Sequence, residues 1–219
     1  MNILLIESSS KQIEFGFSNY DKFIILKKLD SENNADSLIY KIREIFIEKG
    51  ISFKDIDVVS LSNGPGSFTG LRIGSAIAKG ICYVLKCKFL EIPTLDIIAN
   101  KYEGFEEGKI FTALIFSNSR SGEFYSADYI NENSNVKRVS DYSTKVIDFS
   151  EDKIYLINGL NDYNFPKNMR VINLSNISNI HSQLKLSVEY IDKNRYSDFR
   201  ISEPFYMKKF VPLKSIRKI

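Results

Sequence analysis

Hydrophobic positions in the first third of the chain change from strand spacing to helix spacing. Continuous apolar runs and alternating patterns predict three consecutive strands, at residues 2–6, 13–17 and 23–29. A helix over about 37–49 follows, because apolar residues then recur every three or four positions and Gly50 can end the helix: Leu38, Ile42, Ile45 and Phe46. The chain therefore opens with three strands and a helix.

The hydrophobic pattern also predicts the elements in the rest of the first half. Residues 56–61 form a β-branched run typical of a buried strand, and residues 69–85 combine small and apolar residues like a long helix. A short strand at 89–92 and a helix after Pro93 complete the series. The predicted order is three strands, then helix, strand, helix, strand, helix.

An internal repeat predicts that the second half copies the first. A shift of 109 residues superimposes six identical residues without a gap, namely Leu5, Ile6, Ser8, Ser10, Glu14 and Phe15 on Leu114, Ile115, Ser117, Ser119, Glu123 and Phe124. Later patterns predict strands and a last helix, with a polar stretch of weak periodicity before residue 152: strands 110–116, 123–130, 154–157 and 169–172, and helix 177–190.

This order resembles one half of the actin, Hsp70 and sugar-kinase architecture. The predicted class is therefore α/β, a duplicated βββαβαβα fold of the actin-like (ASKHA) type with a degenerate second half. The repeat places the two subdomains at 1–107 and 108–219, the second carrying a basic tail.

Charge and residue usage exclude several function classes. Lys and Arg number 30 against 27 Asp and Glu, a net charge of +3 that is too small for a nucleic-acid coat. Residues 207–219 hold five basic residues and no acid, so a polyanion contact would favour the tail, through Lys208, Lys209 and Lys214. The alternative interpretation of the tail is a solvated chain end.

Histidine and cysteine are scarce. His181 is the only histidine, so a histidine metal cluster cannot form, and a Ser-His-Asp triad would depend on this one residue, which we interpret as a surface or capping residue. Cys82 and Cys87 supply too few ligands for structural zinc and are expected to be buried thiols on different helix faces. Neither a signal peptide nor a run approaching the ~20 residues of a membrane span is evident, which predicts a cytoplasmic protein without membrane contact.

Glycine is concentrated where the fourth predicted strand meets the second predicted helix. Five of the 11 glycines fall within residues 64–80. A helix N-terminus with nearby glycines can bind an anion, which makes a phosphate site one hypothesis and a tight turn the other. The candidate residues for the phosphate loop are Glu7, Ser8, Asn63, Gly64, Gly66 and Ser67. The loop lacks the lysine of a P-loop.

Inside the second predicted helix, small residues recur every four positions at Gly70, Gly74 and Ala78. Such a strip allows another helix to approach closely, either within the chain or from a second subunit. Apolar residues flank the strip on more than one side, which indicates a helix that serves both the core and an interface: Leu71, Ile73, Ile77 and Ile81.

The string from Gly64 to Gly74 closely resembles the signature of the TsaB (YeaZ) family, the dimerisation subunits of the bacterial tRNA threonylcarbamoyladenosine machinery. Three further segments are similar to family motifs: Ile3–Ser9 at the start, Arg120–Tyr125 in the middle and Pro204–Lys208 near the end.

The resemblance implies an actin-like subunit without its own active site or cofactor. It implies binding to a TsaD-like transferase, with a TsaE-like ATPase and tRNA joining the complex, and a homodimer when the chain is alone. ATP or ADP would bind, if at all, at the interface of the complex. The expected interface lies on the first two helices, at Leu38, Ile42, Ile45, Phe46, Gly70, Leu71, Ile73, Gly74, Ile77, Ala78 and Ile81.

The chain departs from the family pattern at several positions. Glu7 stands where the family usually has Asp, Asn118 where it often has Asp, Asn34 where a histidine is frequent, and Lys208 in place of arginine. In the catalytic relative a histidine pair spaced H-x-x-x-H follows the strand at 89–92, and no histidine is present there in this chain.

Two enzyme hypotheses remain beside the scaffold. The first is an actin-like ATPase or small-molecule kinase that uses Glu7 and the Asn63–Ser67 loop. The second is a metallopeptidase, which a single histidine disfavours.

Overall fold

The computed structural model describes residues 1–10, 12–29, 34–118, 122–133, 135–159 and 163–207, with the backbone alone at 34–36 and 118. Within them, the first half contains β1 (Asn2–Glu7), β2 (Glu14–Asn19), β3 (Lys22–Lys28), α1 (Asn34–Glu48), β4 (Val58–Ser62), α2 (Phe68–Leu85), β5 (Lys88–Ile92) and α3 (Thr94–Ala99). The second half contains β6 (Ile110–Asn118), β7 (Glu123–Glu132), β8 (Asn135–Arg138), β9 (Ser143–Val146), β10 (Ile154–Ile157), β11 (Arg170–Asn173) and α4 (Asn179–Asp192). The predicted order of the first half is confirmed.

The two halves repeat one sheet topology. The first sheet has the order β3-β2-β1-β4-β5, in which β1 pairs antiparallel with β2 and parallel with β4. The second sheet has the order β11-β10-β6-β7-β8, in which β6 pairs antiparallel with β7 and parallel with β10. The predicted duplicated α/β fold is therefore confirmed, while the subdomain boundary at 107/108 stays a prediction.

The second half is degenerate because its outer sheet face is covered differently. In the first half, α1 and α2 cover one sheet face. In the second half, an aromatic cluster from the connecting segments packs on the corresponding strands, including Phe149, Tyr163 and Phe165. No helix is present in the described residues between β9 and β11. Loops with buried aromatic rings thus cover this sheet face in place of two helices like α1 and α2.

Two short strands were missed by the sequence pattern. The stretch before residue 152 contains β8 and β9, both paired with β7. Their side chains are mostly exposed or half-buried, so they lack the apolar alternation that marks a strand. Pairing with β7 stabilises these strands, and no pattern in their own sequence predicts this pairing.

The last helix of each half packs on the sheet of the other half. Leu95 and Ile98 of α3 pack with Phe111 of the second sheet. Ile180 and Leu184 of α4 pack under the first sheet. This exchange joins the two halves through apolar contacts on both sides of their junction.

The small-residue strip of α2 faces the interior, which corrects its assignment to a subunit interface. A Cβ built on Gly70 would lie 2.0 Å from Ser8 O, and one on Gly74 would lie 2.1 Å from Ser8 Oγ. Five further predicted interface residues of α1 and α2 are buried in the same core, namely Leu38, Ile42, Phe46, Ala78 and Ile81. Leu71 is buried as well. The physical reason is that α2 can approach the end of β1 only where it carries no side chain.

Helix α2 also corrects the prediction that no stretch approaches a membrane span. By length and composition it is apolar enough to cross a membrane, with a mean hydropathy of 1.2 over 18 residues. A core helix meets the same criterion, and one side of α2 packs against its own sheet.

Replacing single glycines tests the two sides of α2. We expect Gly70→Ala to destabilise the protein by about 1–3 kcal/mol, because the new methyl group would overlap Ser8 O. Gly80→Ala is the matched control: its Cβ meets nothing within 4 Å, so better helix propensity should stabilise the protein by up to about 1 kcal/mol. Urea denaturation would measure both, and equal effects of the two changes would contradict the packing described.

Candidate functional site

The ends of β1 and β4 meet the start of α2 at a turn built around Glu7. The Glu7 carboxylate is fully buried, and its Oε1 accepts hydrogen bonds from Ser9 N at 2.7 Å and Ser9 Oγ at 2.5 Å. Its Oε2 has no hydrogen-bond partner among the described residues. Burial raises the pKa of the Glu7 carboxyl, and the bonds from Ser9 oppose this shift.

The glycine loop closes directly onto this turn. Ser67 N donates to Ser9 O at 2.6 Å, and Ser67 Oγ caps α2 by accepting from Gly70 N at 3.2 Å. A Cβ on Gly66 would lie 2.2 Å from Ser9 O. The backbone of the Ser8–Ser9 turn therefore packs directly against these glycines, at positions where a side chain would not fit.

The six predicted loop residues separate into two groups. Glu7, Ser8, Gly66 and Ser67 lie around the turn just described, with Ser8 N 3.4 Å from Ser62 Oγ. Asn63 and Gly64 instead contact the C-terminal segment. Asn63 O accepts from Phe205 N at 2.7 Å, and a Cβ on Gly64 would lie 2.8 Å from Phe205 O.

A buried lysine, which the sequence analysis did not single out, bridges the two halves. Lys101 follows α3, and its Nζ donates to Asn158 Oδ1 at 3.0 Å and to Asn179 Oδ1 at 2.8 Å. Burial lowers the pKa of Lys101 to about 8, and the Glu14 and Glu7 carboxylates act in the opposite direction. The protein's own ammonium group thus supplies positive charge at the junction.

Two further polar contacts tie α4 to the first sheet at this junction. Ser178, the N-cap of α4, donates to the Glu14 carboxylate, which also lies 3.7 Å from Lys28 Nζ. Gln183 Nε2 donates to Ser60 O at 3.1 Å. Polar side chains of the protein therefore form hydrogen bonds between the two halves. They are far apart in sequence, so only the tertiary structure shows that they belong together.

A groove of about 770 Å³ lies where the start of α2 meets the C-terminal segment. The Arg72 guanidinium stacks 3.9 Å above the Phe68 ring, and Arg72 Nε donates to Tyr206 Oη at 3.3 Å. Glu91 Oε1 accepts from Asn63 Nδ2 at 3.3 Å and from Ser202 Oγ at 2.5 Å. Two motifs that are far apart in sequence thus meet at one groove, namely Gly64–Gly74 and residues Pro204–Tyr206 of the motif near the end.

The groove wall continues into a carboxylate network on α3. Asp96 accepts hydrogen bonds from Tyr129 Oη at 2.7 Å and Tyr142 Oη at 2.9 Å. Burial raises the pKa of Asp96, and the two tyrosine bonds oppose the shift. In the segment where the catalytic relative is expected to hold histidines, this chain therefore has a structural link between α3, β7 and Tyr142.

One side of α2 is apolar and partly exposed. Its residues are spaced like one helix face and are called here the outer face of α2: Ile73, Ala76, Ile77, Gly80 and Val84. Val84 is 74% exposed, and the neighbouring Tyr83 is 64% exposed. Ile73 and Ile77, two predicted interface residues, belong to the outer face and are half-buried, as is Ile45 of α1.

On α1, two large apolar residues seven positions apart point outward. Tyr40 and Ile47 are exposed, whereas the predicted interface residues of this helix are buried or half-buried. The sequence carries a signal for the outer face in the repeat of Ala76, Gly80 and Val84 at every fourth position, but the buried strip recurs with the same spacing.

The histidine and cysteine predictions have different outcomes. His181 is exposed and lies edge-on to Phe23 with ring centroids 5.1 Å apart, which confirms a surface residue. Cys82 and Cys87 do not point to different faces, because α2 ends at Leu85 and the chain turns back: their Sγ atoms are 3.6 Å apart. Among the described residues no group of three His, Cys, Asp or Glu could hold a metal ion.

Several predicted positions lie outside the described residues. They are Arg120 and Ser121 of the central motif, the basic tail with Lys208, Lys209 and Lys214, and the side chains of Asn34 and Asn118.

Comparison with known proteins points to one family. Residues 28–188 match the family model described as TsaD, tRNA N6-adenosine threonylcarbamoyltransferase. A tRNA threonylcarbamoyladenosine biosynthesis protein TsaB of Buchnera aphidicola subsp. Schizaphis graminum is 33% identical over 117 residues, 52% of this chain and 54% of that protein. The TsaB protein of Escherichia coli is 26% identical over 129 residues, 59% of this chain and 55% of that protein. The chain thus spans little more than half the length of these relatives.

A solved structure shares the fold. YeaZ from Pseudomonas aeruginosa superimposes with a TM-score of 0.75, at 16% identity, over 94% of this chain and 99% of that chain. At this identity the likeness concerns the fold alone.

The buried Glu7 carboxyl predicts a pH-dependent effect of Glu7→Gln. A raised pKa in the folded state favours folding at low pH, and this contribution is lost as the pH rises through the folded-state pKa. The variant keeps an acceptor for Ser9 but carries no charge, so its Tm should rise relative to the wild type between pH 4 and pH 8, by a few degrees. Glu151→Gln, at an exposed position, is the control, and a Glu7→Gln difference that does not change with pH would contradict the prediction.

Proposed function

The chain belongs to the TsaD family of tRNA N6-adenosine threonylcarbamoyltransferases and, within it, to the TsaB (YeaZ) proteins, and on this premise we propose that it is a non-catalytic subunit in tRNA threonylcarbamoyladenosine formation. In this role it binds a TsaD-like transferase and holds that enzyme in an active state. The chemistry belongs to the partner.

The observation that carries the proposal is the outer face of α2. This face is partly exposed and has no charged member, with Ala76, Gly80 and Val84 exposed and the two Ile residues half-buried. Such a face is unfavourable in water and favourable when a second helix covers it. Ala76 and Gly80 keep its centre smooth, which lets a partner helix approach closely. Tyr40 and Ile47 of α1 add exposed apolar area to the same helical layer.

The interior of the chain supports a non-catalytic role. The Ser8–Ser9 backbone packs directly against Gly66 and Gly70, which gives these glycines a packing role, and Lys101 joins the halves through hydrogen bonds to Asn158 and Asn179. Both features disfavour the ATPase or kinase hypothesis that used Glu7 and the Asn63–Ser67 loop. The metallopeptidase hypothesis is disfavoured by the exposed position of His181, the only histidine.

The remaining partners follow from the same proposal. We expect a TsaE-like ATPase and tRNA to join through the complex, in the cytoplasm, with any ATP or ADP at the interface of the complex. In the absence of the transferase, two copies of the chain would cover their outer faces mutually as a homodimer, because a two-fold contact uses one patch twice.

A charge in the middle of the outer face tests the proposal. Ala76→Glu should weaken binding to the TsaD-like transferase at least tenfold, because a carboxylate would be buried without a partner. Its Tm should stay near that of the wild type, since Ala76 is exposed. Size-exclusion chromatography with light scattering and calorimetric titration would measure both effects, together with modified adenosine formed in the reconstituted reaction.

The matched control is Val146→Glu, which places the same charge on an exposed apolar position of β9 in the other half. Unchanged binding by Ala76→Glu would contradict the proposed interface. ATP hydrolysis by the isolated chain that disappears in Glu7→Ala would contradict the non-catalytic role.

A further inference from the structure

We propose that Cys82 and Cys87 form a reversible redox pair, in which a hydroperoxide converts the two thiols into an intramolecular disulfide. The proposal goes beyond the role in tRNA modification and does not depend on it.

The backbone at the end of α2 brings the two sulfur atoms into contact. Cys82 lies in the last turn of the helix, and Lys86 adopts the left-handed conformation with φ 58°, which turns the chain back. Cys87 Sγ therefore lies 3.6 Å from Cys82 Sγ. A disulfide needs a separation of about 2.05 Å, so a movement of about 1.5 Å in the short segment after α2 closes the bond.

The two thiols differ in access. Cys82 is fully buried in the core between α2 and the first sheet, whereas Cys87 is half-buried and reachable from solvent. An oxidant therefore meets Cys87 first, and Cys82 is positioned behind it as the second thiol.

The pKa values of the two thiols are shifted in opposite directions. The hydrogen-bond contact between the two thiols lowers the pKa of Cys87, while burial and the Asp57 carboxylate oppose the shift. The contact with Cys87 and burial together raise the pKa of Cys82. Because the thiolate is the nucleophilic form, Cys87 is the attacking sulfur.

The reaction has two balanced steps. The Cys87 thiolate attacks the outer oxygen of a hydroperoxide, which breaks the O–O bond, forms the sulfenic acid of Cys87 and releases alkoxide or hydroxide. The sulfur of Cys82 then attacks the Cys87 sulfur. The S–S bond forms as the S–O bond breaks, and the sulfenic hydroxyl group leaves with the Cys82 thiol proton as water. A dithiol reductant reverses the product to two thiols.

The bond would tie the last turn of α2 to the segment before β5. Tyr83 and Val84, next to Cys82 in sequence, are exposed at this end of the helix. We therefore expect the oxidised protein to hold the end of α2 more rigidly than the reduced protein.

Mass spectrometry of the full chain tests the proposal directly. After treatment with hydrogen peroxide and then iodoacetamide under native conditions, we expect a protein 2 Da lighter than the reduced chain with no alkylated cysteine. Dithiothreitol should restore two alkylatable thiols. Hydrogen exchange of the amides at 83–88 should slow in the oxidised form.

Two single variants assign the roles. Cys82→Ser should stop at the sulfenic acid of Cys87, which dimedone traps, and should form no intramolecular bond. Cys87→Ser should leave Cys82 largely unreacted over the same time. Sulfinic or sulfonic acid on Cys87 of the wild type, or a disulfide between two chains in place of the internal one, would overturn the proposal.

Discussion

The close contact between α2 and the Ser8–Ser9 turn is the constraint on which most of this structure depends. Gly70 and Gly74 leave no side chain between the helix and the end of β1, and Ser67 and Ser9 hold the loop against the turn through a backbone bond of 2.6 Å. Helix α2 is therefore placed tightly on the first sheet in one rotation about its axis. That rotation decides which residues are core and which are surface.

Two functional consequences follow from this rotation. Gly66, Gly70 and Gly74, which suggested a phosphate loop, pack closely against the protein's own Ser8–Ser9 turn. The opposite side of α2, with Ala76 and Gly80 at its centre, is turned to solvent. A helix that is small and apolar on both sides can serve the core with one side and a partner with the other, which is the arrangement that the proposed role in the transferase complex requires.

The junction of the halves is held together by apolar contacts and by a network of hydrogen bonds. Helices α3 and α4 each pack on the sheet of the other half, and Lys101, Asn158 and Asn179 form hydrogen bonds between them. The ammonium group of a lysine is covalently part of the chain. The positive charge that it supplies therefore cannot dissociate from the junction as a bound metal cation can. We interpret this network as a fixed connection between the halves. Such a connection is consistent with the proposed role as a non-catalytic subunit that binds a partner.

The sequence by itself determined the order of elements in the first half, the duplication and the family, because apolar periodicity and the Gly64–Gly74 string are local signals. It could not separate the strip of Gly70, Gly74 and Ala78 from that of Ala76, Gly80 and Val84, since both recur every four residues on one helix. Only the tertiary structure decided between them, because the position of Ser8 against the helix depends on strand pairing. Likewise, β8, β9 and Lys101 have no local pattern, and their roles depend on neighbours that are distant along the chain.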